Sequence, residues 1–233
     1  MSKEISGKTL SVSVAMITKN EEKSVGKVIT DIKKYAPNSE ILIVDSSEDR
    51  TAQIAEKFGA RVIRQFPPKG YGKAMDLALR SAKGDIVVTL DCDDTYPAQY
   101  IPLLASFVEE GYDLADGNRL WRKPEAMALL NYAANRFFAL VARIILGFNF
   151  EDLHSGMRAY RASMLKEMKF NIVGKGNALP VELLLKPARL GYKVIQVPIT
   201  YRMRIGETTL EKWDSAKWTV IRIMNVRKMK SKK

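Results

Sequence analysis

Residues 89–95 read Thr-Leu-Asp-Cys-Asp-Asp-Thr and follow the short apolar run Ile86–Val88. A run of this length and composition predicts a buried β-strand, and Pro97 prevents its continuation. Asp91 and Asp93 therefore stand together where the strand ends. A divalent cation relieves the repulsion between such carboxylates, and Mg²⁺ or Mn²⁺ favours carboxylate oxygens, often together with substrate phosphates. The alternative interpretation is an acidic turn that caps a helix starting near Pro97.

Before this strand, apolar runs alternate with segments of helical periodicity. The predicted strands cover residues 11–17, 40–45, 60–64 and 85–88, and the predicted helices cover 22–35, 51–58 and 72–82. This alternation predicts right-handed βαβ units, and hence an α/β fold with a mostly parallel, Rossmann-like sheet flanked by helices. In such sheets ligands bind beyond the carboxyl ends of the strands. We therefore expect the polar segments 18–22, 45–49 and 91–95 to share one cleft.

The second half of the chain is less regular. It contains a predicted short strand at 113–117, a long helix at 125–146, a polar loop at 152–158, a helix at 180–190, a strand at 192–201, a basic loop at 202–208 and a helix at 209–226. A cationic tail occupies residues 227–233. This pattern predicts one large domain over residues 1–208 and an amphipathic, basic C-terminal segment over residues 209–233.

The overall charge indicates an anionic partner. The 233-residue chain has a net charge of +12, which suits nucleic acid, an acidic membrane surface or phosphorylated substrates. We expect no nucleic-acid partner, because the basic residues are not interleaved with exposed aromatic residues and form no known motif. The single cysteine, Cys92, rules out an internal disulfide and suits a reducing, cytoplasmic compartment.

No apolar signal segment opens the sequence, and no run is apolar enough to predict a membrane span. The nearest candidate is the segment 127–150. It is interrupted by polar residues, so we expect an amphipathic or a core helix there; these residues are Asn131, Asn135, Arg136 and Arg143.

The predicted last helix separates apolar from polar residues. Its apolar face comprises Leu210, Trp213, Ala216, Val220, Ile223 and Met224, and its opposite face comprises Glu211, Ser215, Thr219 and Arg222. Residues 201–233 also carry an excess of seven positive charges. An apolar face with tryptophans beside a cationic tail suits an anionic bilayer surface, and predicts a peripheral protein at the cytoplasmic membrane face. The alternative is a helix docked on the main domain, with a solvated tail.

Seven short segments occur in a characteristic order. They are Thr-Lys-Asn-Glu-Glu at 18–22, Val-Asp-Ser-Ser-Glu-Asp-Arg-Thr at 44–51, Lys-Gly-Tyr-Gly-Lys-Ala at 69–74, Asp-Cys-Asp at 91–93, Gly-Asn-Arg at 117–119, Asp-Leu-His-Ser-Gly-Met-Arg at 152–158 and the stretch 201–210. Together they resemble the motifs of family 2 glycosyltransferases with the GT-A fold, and within that family the dolichyl-phosphate mannose synthases and related polyprenyl-phosphate hexosyltransferases. The resemblance covers residues 12–226.

The resemblance implies an inverting enzyme that moves a hexose from a nucleoside diphosphate sugar to a polyprenyl (dolichyl) phosphate with Mg²⁺ or Mn²⁺. Mannose from GDP-mannose is the expected donor, and UDP-glucose is the alternative. A phosphate acceptor is already anionic and needs no general base. A hydroxyl acceptor would need one, and Asp152 or Glu182 would be the candidate. A sugar-phosphate nucleotidyltransferase is disfavoured, because residues 18–22 lack the glycine-rich first loop of that class.

The resemblance also assigns residues to roles. The expected nucleotide-sugar ligands are Thr18, Asn20, Glu21, Asp45, Lys69, Lys73, Asp91, Cys92 and Asp93. The expected metal ligands are Asp91, Asp93 and His154, although His154 has the alternative of an ordinary hydrogen-bonding loop residue. The expected acceptor-phosphate ligands are Arg119, Ser155, Arg158, Arg204 and Thr208, since guanidinium groups bind phosphate in a bidentate way. The expected catalytic residues are Asp93, Asp152, Arg119 and Arg204.

Four positions depart from the family's pattern. Ile17 stands in place of a proline, and Ser46 in place of a second aspartate. Thr95 stands where the family often has glutamine, and threonine is the poorer metal ligand of the two. Thr209 replaces the lysine expected in the stretch 201–210. Because that lysine would help to bind acceptor phosphate, its replacement leaves the acceptor open while the fold is still expected.

Overall fold

The computed structural model describes residues 10–172, 178–206 and 212–230. The strands in this part of the chain are β1 (Val12–Thr18), β2 (Glu40–Asp45), β3 (Arg61–Arg64), β4 (Ile86–Thr89), β5 (Leu114–Asn118), β6 (Arg158–Arg161) and β7 (Val194–Pro198). They form one sheet in the order β3-β2-β1-β4-β6-β5-β7. The predicted acceptor ligand Thr208 and the predicted boundary between residues 208 and 209 lie outside the described residues.

The sheet is mostly parallel, as predicted. Strand β1 pairs in parallel with β2 and β4, and β2 pairs in parallel with β3. Strand β6 is antiparallel to both β4 and β5, whereas β7 is parallel to β5. The carboxyl ends of six strands therefore lie at one edge, and the chain enters β6 from that same edge. Strand β6 begins at the last residue of the predicted loop 152–158 and was not predicted, since its four residues carry no alternating apolar pattern.

Helices cover both faces of this sheet. They are α1 (Val25–Tyr35), α2 (Thr51–Lys57), α3 (Tyr71–Ser81), α4 (Ile101–Glu109), α5 (Leu129–Leu146), α6 (Ala162–Glu167), α7 (Leu179–Arg189) and α8 (Lys212–Arg227). Helices α1, α2 and α4 bury their apolar residues in the core on one face. Helices α3 and α5–α8 contribute to the core on the other face. The result is the three-layered α/β architecture that the sequence predicts.

Helix α5 is not a core helix. Of its 18 residues only Ala139 and Ala142 are buried, so the core interpretation was wrong and the amphipathic one stands. By length and composition alone, α5 is also apolar enough to cross a membrane. The sequence patterns had predicted no such segment.

Helix α8 docks mainly through the face opposite to its predicted apolar face. Thr219 and Arg222 are buried, while Trp213 is 92% exposed and Val220 43% exposed. The Arg222 guanidinium forms a buried ion pair with Glu182 of α7. This pairing balances the buried Glu182 carboxylate, while Nε and Nη2 of Arg222 have no hydrogen-bond partner among the described residues. Of the predicted apolar face, Trp213, Val220 and Met224 lie outward and Ile223 is buried.

Candidate active site

The carboxyl edge of the sheet brings six segments together. Five of them lie at or after the ends of strands: 18–21 at β1, 45–47 at β2, 91–95 at β4, 119–121 at β5 and 201–204 at β7. The sixth, residues 152–156, precedes β6. The three polar segments expected to share a cleft thus end at the same edge. Only the family resemblance had linked the last three segments to it.

Thr18 and Asp45 form a buried polar pair between β1 and β2. They are register partners, and the Thr18 hydroxyl donates to Asp45 Oδ1 at 2.7 Å. Asp45 also accepts hydrogen bonds from Ser47 and the Arg64 guanidinium. These contacts neutralise a fully buried carboxylate. Asp45 therefore shapes the floor of the cleft, while Asn20, which is exposed, borders the opening.

Asp91 and Asp93 lie beyond the end of β4. Burial and the nearby Asp93 carboxylate raise the pKa of Asp91 to about 7. A Cβ atom added at Gly156 would lie 2.9 Å from both carboxylate oxygens of Asp91, so the absence of a side chain there keeps the space beside Asp91 open. Two mutually repelling carboxylates fit Mg²⁺ or Mn²⁺, which commonly takes one or two protein carboxylates and completes its shell with water and phosphate.

The two residues beside these carboxylates have other functions. Asp94 pairs with Lys27 at 2.7 Å and with Arg202 at 3.4 Å, so its charge is already balanced. Cys92 is buried, and its carbonyl accepts a hydrogen bond from the Ser24 hydroxyl at 2.7 Å. Burial raises the pKa of the Cys92 thiol, which stays protonated. Any contact between Cys92 and a nucleotide would therefore come from its backbone.

Arg204 crosses the mouth of the site. Its guanidinium lies 2.9 Å from Glu21 Oε1 and 3.4 Å from Asp93 Oδ2. The segment that carries it is fixed by two main-chain hydrogen bonds, from Arg202 N to Thr95 O and from Ile205 N to Asp93 O, each 2.9 Å long. Burial raises the pKa of Glu21, and Arg204 opposes that rise. One cation thus lies between two acidic groups next to Asp91.

Arg119 and Asp152 form a buried bidentate pair. Arg119 Nε donates to Asp152 Oδ2 at 2.7 Å, and Arg119 Nη2 donates to Asp152 Oδ1 at 2.9 Å. The Arg119 backbone N–H also donates to Asp152 Oδ2, at 3.1 Å. The rings of Tyr96 and Tyr201 lie within 6 Å of the guanidinium, at 5.9 and 5.2 Å. The Arg119 guanidinium lowers the pKa of Asp152. Asp152 therefore holds Arg119 in place and is poorly suited to act as a base.

Arg158 and Ser155 point into the protein. Arg158 is 1% exposed; its guanidinium pairs with Asp116 and donates to the carbonyls of Pro180 and Leu153. Ser155 is fully buried and bonds to the backbone of Met157. Both predicted acceptor ligands are therefore buried and bonded inside the protein. Arg158 instead joins β6 to β5 and to α7.

His154 does not join the two aspartates. Its Nε2 lies 2.9 Å from the Thr219 hydroxyl of α8, and burial lowers its pKa to about 4, so the ring is neutral. Among the described residues no group of three His, Cys, Asp or Glu side chains could hold a metal ion. The expectation of His154 as a third ligand gives way to its alternative, a hydrogen-bonding loop residue.

Glu182, the other candidate base, is also engaged elsewhere. It is buried in the ion pair with Arg222, accepts a hydrogen bond from the backbone of Asn171, and has Lys186 at 3.5 Å. Lys69 and Lys73 are exposed around the start of α3. They remain predicted nucleotide ligands.

Several residues of the site were not predicted from the sequence. Arg64 and Ser47 complete the bonding of Asp45, and Tyr96 and Tyr201 flank Arg119. Ser47 and Tyr201 belong to recognised segments, whereas Arg64 and Tyr96 do not. The Tyr96 hydroxyl accepts a hydrogen bond from Gly156 N at 2.7 Å, which ties the aspartate loop to the segment before β6.

Comparison with known proteins gives a consistent result. The model of the family described as "Glycosyl transferase family 2" matches residues 13–169. A dolichyl-phosphate hexose transferase from Haloferax volcanii is 42% identical over 201 residues, which cover 86% of each chain. A dolichol-phosphate mannosyltransferase from Pyrococcus furiosus is 29% identical over 214 residues, 87% of this chain and 60% of that protein.

The fold also matches solved structures. Glucosyl-3-phosphoglycerate synthase from Mycobacterium tuberculosis, crystallised with Mn²⁺, UDP and phosphoglyceric acid, superposes with a TM-score of 0.76 at 22% identity. The match covers 94% of this chain and 79% of that one. At this identity the likeness establishes the fold.

Proposed function

The chain belongs to glycosyl transferase family 2, and from this premise we propose that it moves a hexose from a nucleoside diphosphate sugar to a polyprenyl phosphate. The observation that carries the proposal is the pairing of Arg119 with Asp152 beside the Asp91–Asp93 carboxylates. It offers a fixed cation, and it engages Asp152, so that this candidate base is not available. That combination favours an acceptor that is already an anion.

The donor side would be formed by the segments after β1, β2 and β4. Thr18, Asn20, Glu21 and Asp45 border the space for the base and ribose, and the exposed Lys69 and Lys73 lie on the nucleotide side. Asp91 and Asp93 would hold Mg²⁺ or Mn²⁺. The bound cation would supply charge neutralisation for the leaving diphosphate.

On the acceptor side, Arg119 and Arg204 would orient the lipid phosphate. A phosphate oxygen attacks C1 of the sugar, and the bond from C1 to the diphosphate oxygen breaks with its electron pair on the leaving nucleotide. Attack opposite to the leaving group inverts the configuration at C1. Because the nucleophile carries no proton to remove, the proposal requires nothing of Asp152 beyond positioning Arg119.

The proposed donor is GDP-mannose, with UDP-glucose as the alternative. Mannosyl transfer is named for two relatives, the Pyrococcus furiosus protein and an undecaprenyl-phosphate mannosyltransferase from Micrococcus luteus that is 28% identical. A lipid acceptor also requires access to a bilayer. We therefore propose a peripheral position at the cytoplasmic face of a membrane, which the charge of +12 supports.

Nucleotide binding tests the donor. Thermal unfolding with GDP, UDP or CDP, each with Mn²⁺ or with EDTA, should show a metal-dependent rise in Tm for one base. GDP alone stabilising the protein would support GDP-mannose. No stabilisation by any nucleotide would refute the donor site.

Transfer assays test the acceptor. The preferred radiolabelled donor is offered with a polyprenyl phosphate and, separately, with a glycolipid that presents only hydroxyl groups. We expect product from the phosphate alone. Product from the hydroxyl acceptor alone would refute the phosphate proposal and return attention to the replacement at Thr209.

A further inference from the structure

Helix α5 exposes a continuous apolar stripe. Its residues recur at helical spacing on one face, and four of them are 77%, 59%, 52% and 75% exposed: Leu130, Phe137, Leu140 and Ile144. Ala133 lies on the same face and is also exposed. The stripe extends over fifteen residues, from Leu130 to Ile144, and its fourteen steps of 1.5 Å give about 21 Å. Isolated exposed apolar residues are ordinary, but a contiguous stripe of this size marks a surface that binds something apolar.

The opposite face of α5 fixes its orientation. Ala139 and Ala142 are buried against the body of the protein, and Phe138 is partly buried there. The C-terminal half of α5 is therefore attached to the domain along its side, between residues 138 and 146. Although its composition would allow a membrane span, the packing favours a helix that lies in the plane of an interface.

Charge identifies the occupant. No acidic residue occurs in 129–146, and Arg136 and Arg143 are exposed beside the stripe. Residues 121–123 read Trp-Arg-Lys; Trp121 is 44% exposed, and the Arg122 guanidinium lies 4.6 Å from the Trp121 ring centroid. Tryptophan with cations is typical of the water–lipid interface. A second copy would bring arginines toward arginines, whereas an anionic bilayer attracts them.

The stripe adjoins both the active site and α8. On α5, the Phe138 ring lies 6.0 Å from the His154 ring, and the Arg136 guanidinium lies 3.7 Å from the Glu151 carboxylate. The same Glu151 carboxylate accepts a hydrogen bond from the Asn118 side chain. Asn118 immediately precedes Arg119. Helix α8 packs against α5 and exposes Trp213. A bilayer on α5 would therefore meet the acceptor side of the site.

We propose that the stripe on α5, and not the C-terminal helix alone, docks the protein on an anionic lipid bilayer and presents the active site to a lipid-borne phosphate. The second half of this inference rests on the proposed function. The first half, binding to the bilayer, is independent of any acceptor.

A sedimentation assay with matched variants tests it. The full chain is mixed with vesicles of phosphatidylcholine, with or without phosphatidylglycerol. Leu140→Glu/Ile144→Glu should weaken binding to the anionic vesicles at least about tenfold. The control Asn38→Glu/Gln53→Glu changes the net charge equally at exposed positions on the other helical layer, and should change binding less than about twofold. Equal binding of wild type and the stripe variant would overturn the inference.

Two further measurements distinguish bilayer docking from self-association and from a direct effect on catalysis. Light scattering should show a monomer without lipid; a dimer that the stripe variant dissociates would assign the stripe to a second copy and overturn the inference. In transfer assays, the rate of the stripe variant should fall about tenfold with a long polyprenyl phosphate in vesicles. Its rate with a short, water-soluble prenyl phosphate should equal that of the wild type. If wild type uses neither acceptor while vesicle binding still depends on the stripe, the proposed function fails and the docking surface stands.

Discussion

Replacing Asp91 by Asn should stabilise the ligand-free protein at pH 8 while abolishing metal-dependent nucleotide binding. Asp91 is partly buried next to Asp93, and its pKa is raised from 3.8 to about 7. At pH 8 the folded protein must hold this carboxylate charged against burial and against Asp93. Asparagine is nearly the same size and carries no charge, so it removes that cost and also removes a metal ligand.

The magnitude follows from linkage. A shift from 3.8 to about 7 corresponds, at 1.36 kcal/mol per pH unit, to an upper bound of about 4 kcal/mol. Local relaxation and water reduce this, and we expect about 2 kcal/mol, or about 4–8 °C in Tm for a chain of this size. Because the folded pKa is the higher one, the wild type loses this stability as pH rises from about 4 to about 7. The variants should therefore differ at pH 8 and converge near pH 4.

Thermal unfolding at several pH values in EDTA measures the difference in Tm between Asp91→Asn and the wild type. Addition of Mn²⁺ with the preferred nucleotide should raise the Tm of the wild type alone. Asp94→Asn is the matched control, because Asp94 is paired with Lys27 and Arg202; it should leave Tm unchanged or lower it. If Asp91→Asn has the same Tm as the wild type at pH 8, or a lower one, Asp91 is not a repelled carboxylate and the metal assignment loses its physical basis.

Three other changes test the site and its support. Asp93→Asn should remove Mn²⁺-dependent nucleotide binding in calorimetry with little change in Tm; retained binding would contradict its role. Asp152→Asn should lower kcat by less than the roughly 10²–10⁴-fold of a lost general base and leave the acidic limb of the pH–rate profile in place, because Asp152 positions Arg119; disappearance of that limb would identify a base. Arg222→Met should cost up to about 3–5 kcal/mol in denaturant unfolding, because the buried Glu182 then keeps only the longer ion pair with Lys186 at 3.5 Å. Glu182→Leu in the same chain should recover most of this loss; no recovery would mean that the pair itself is not responsible.

The first half of the fold was predictable because its signals are local. Buried residues of α1 recur at positions 25, 28, 29 and 32, and β2 is a continuous apolar run, so each element could be read from a short window. Strand β6 could not, since Arg-Ala-Tyr-Arg becomes a strand only through antiparallel pairing on both sides. The docking of α8 through Thr219 and Arg222 was not predictable either, because Arg222 is buried by Glu182, a partner 40 residues away in the chain.

The candidate site was predictable in position but not in bonding. The polar segments were correctly placed at one edge from the order of strands and helices. The sequence could not show which arginine lies at the cleft and which lies inside the protein. Arg119, Arg158 and Arg204 each occur in a polar segment with no local signal of burial. The structure distinguishes them by their partners. Arg119 pairs with Asp152, Arg158 pairs with Asp116, and Arg204 pairs with both Glu21 and Asp93.

The two main-chain hydrogen bonds between residues 202–205 and the loop 93–95 have a kinetic consequence. They couple the segment that carries Arg204 to the loop that would hold the donor's diphosphate, so the two cannot move independently. While Arg204 bridges Glu21 and Asp93, the cation is turned toward the donor side. Under the proposed function, arrival of the donor diphosphate would redirect the Arg204 guanidinium, and only then would its charge face the second substrate. Such a coupling corresponds to compulsory-order addition, with the nucleotide sugar first and the nucleotide product last to leave.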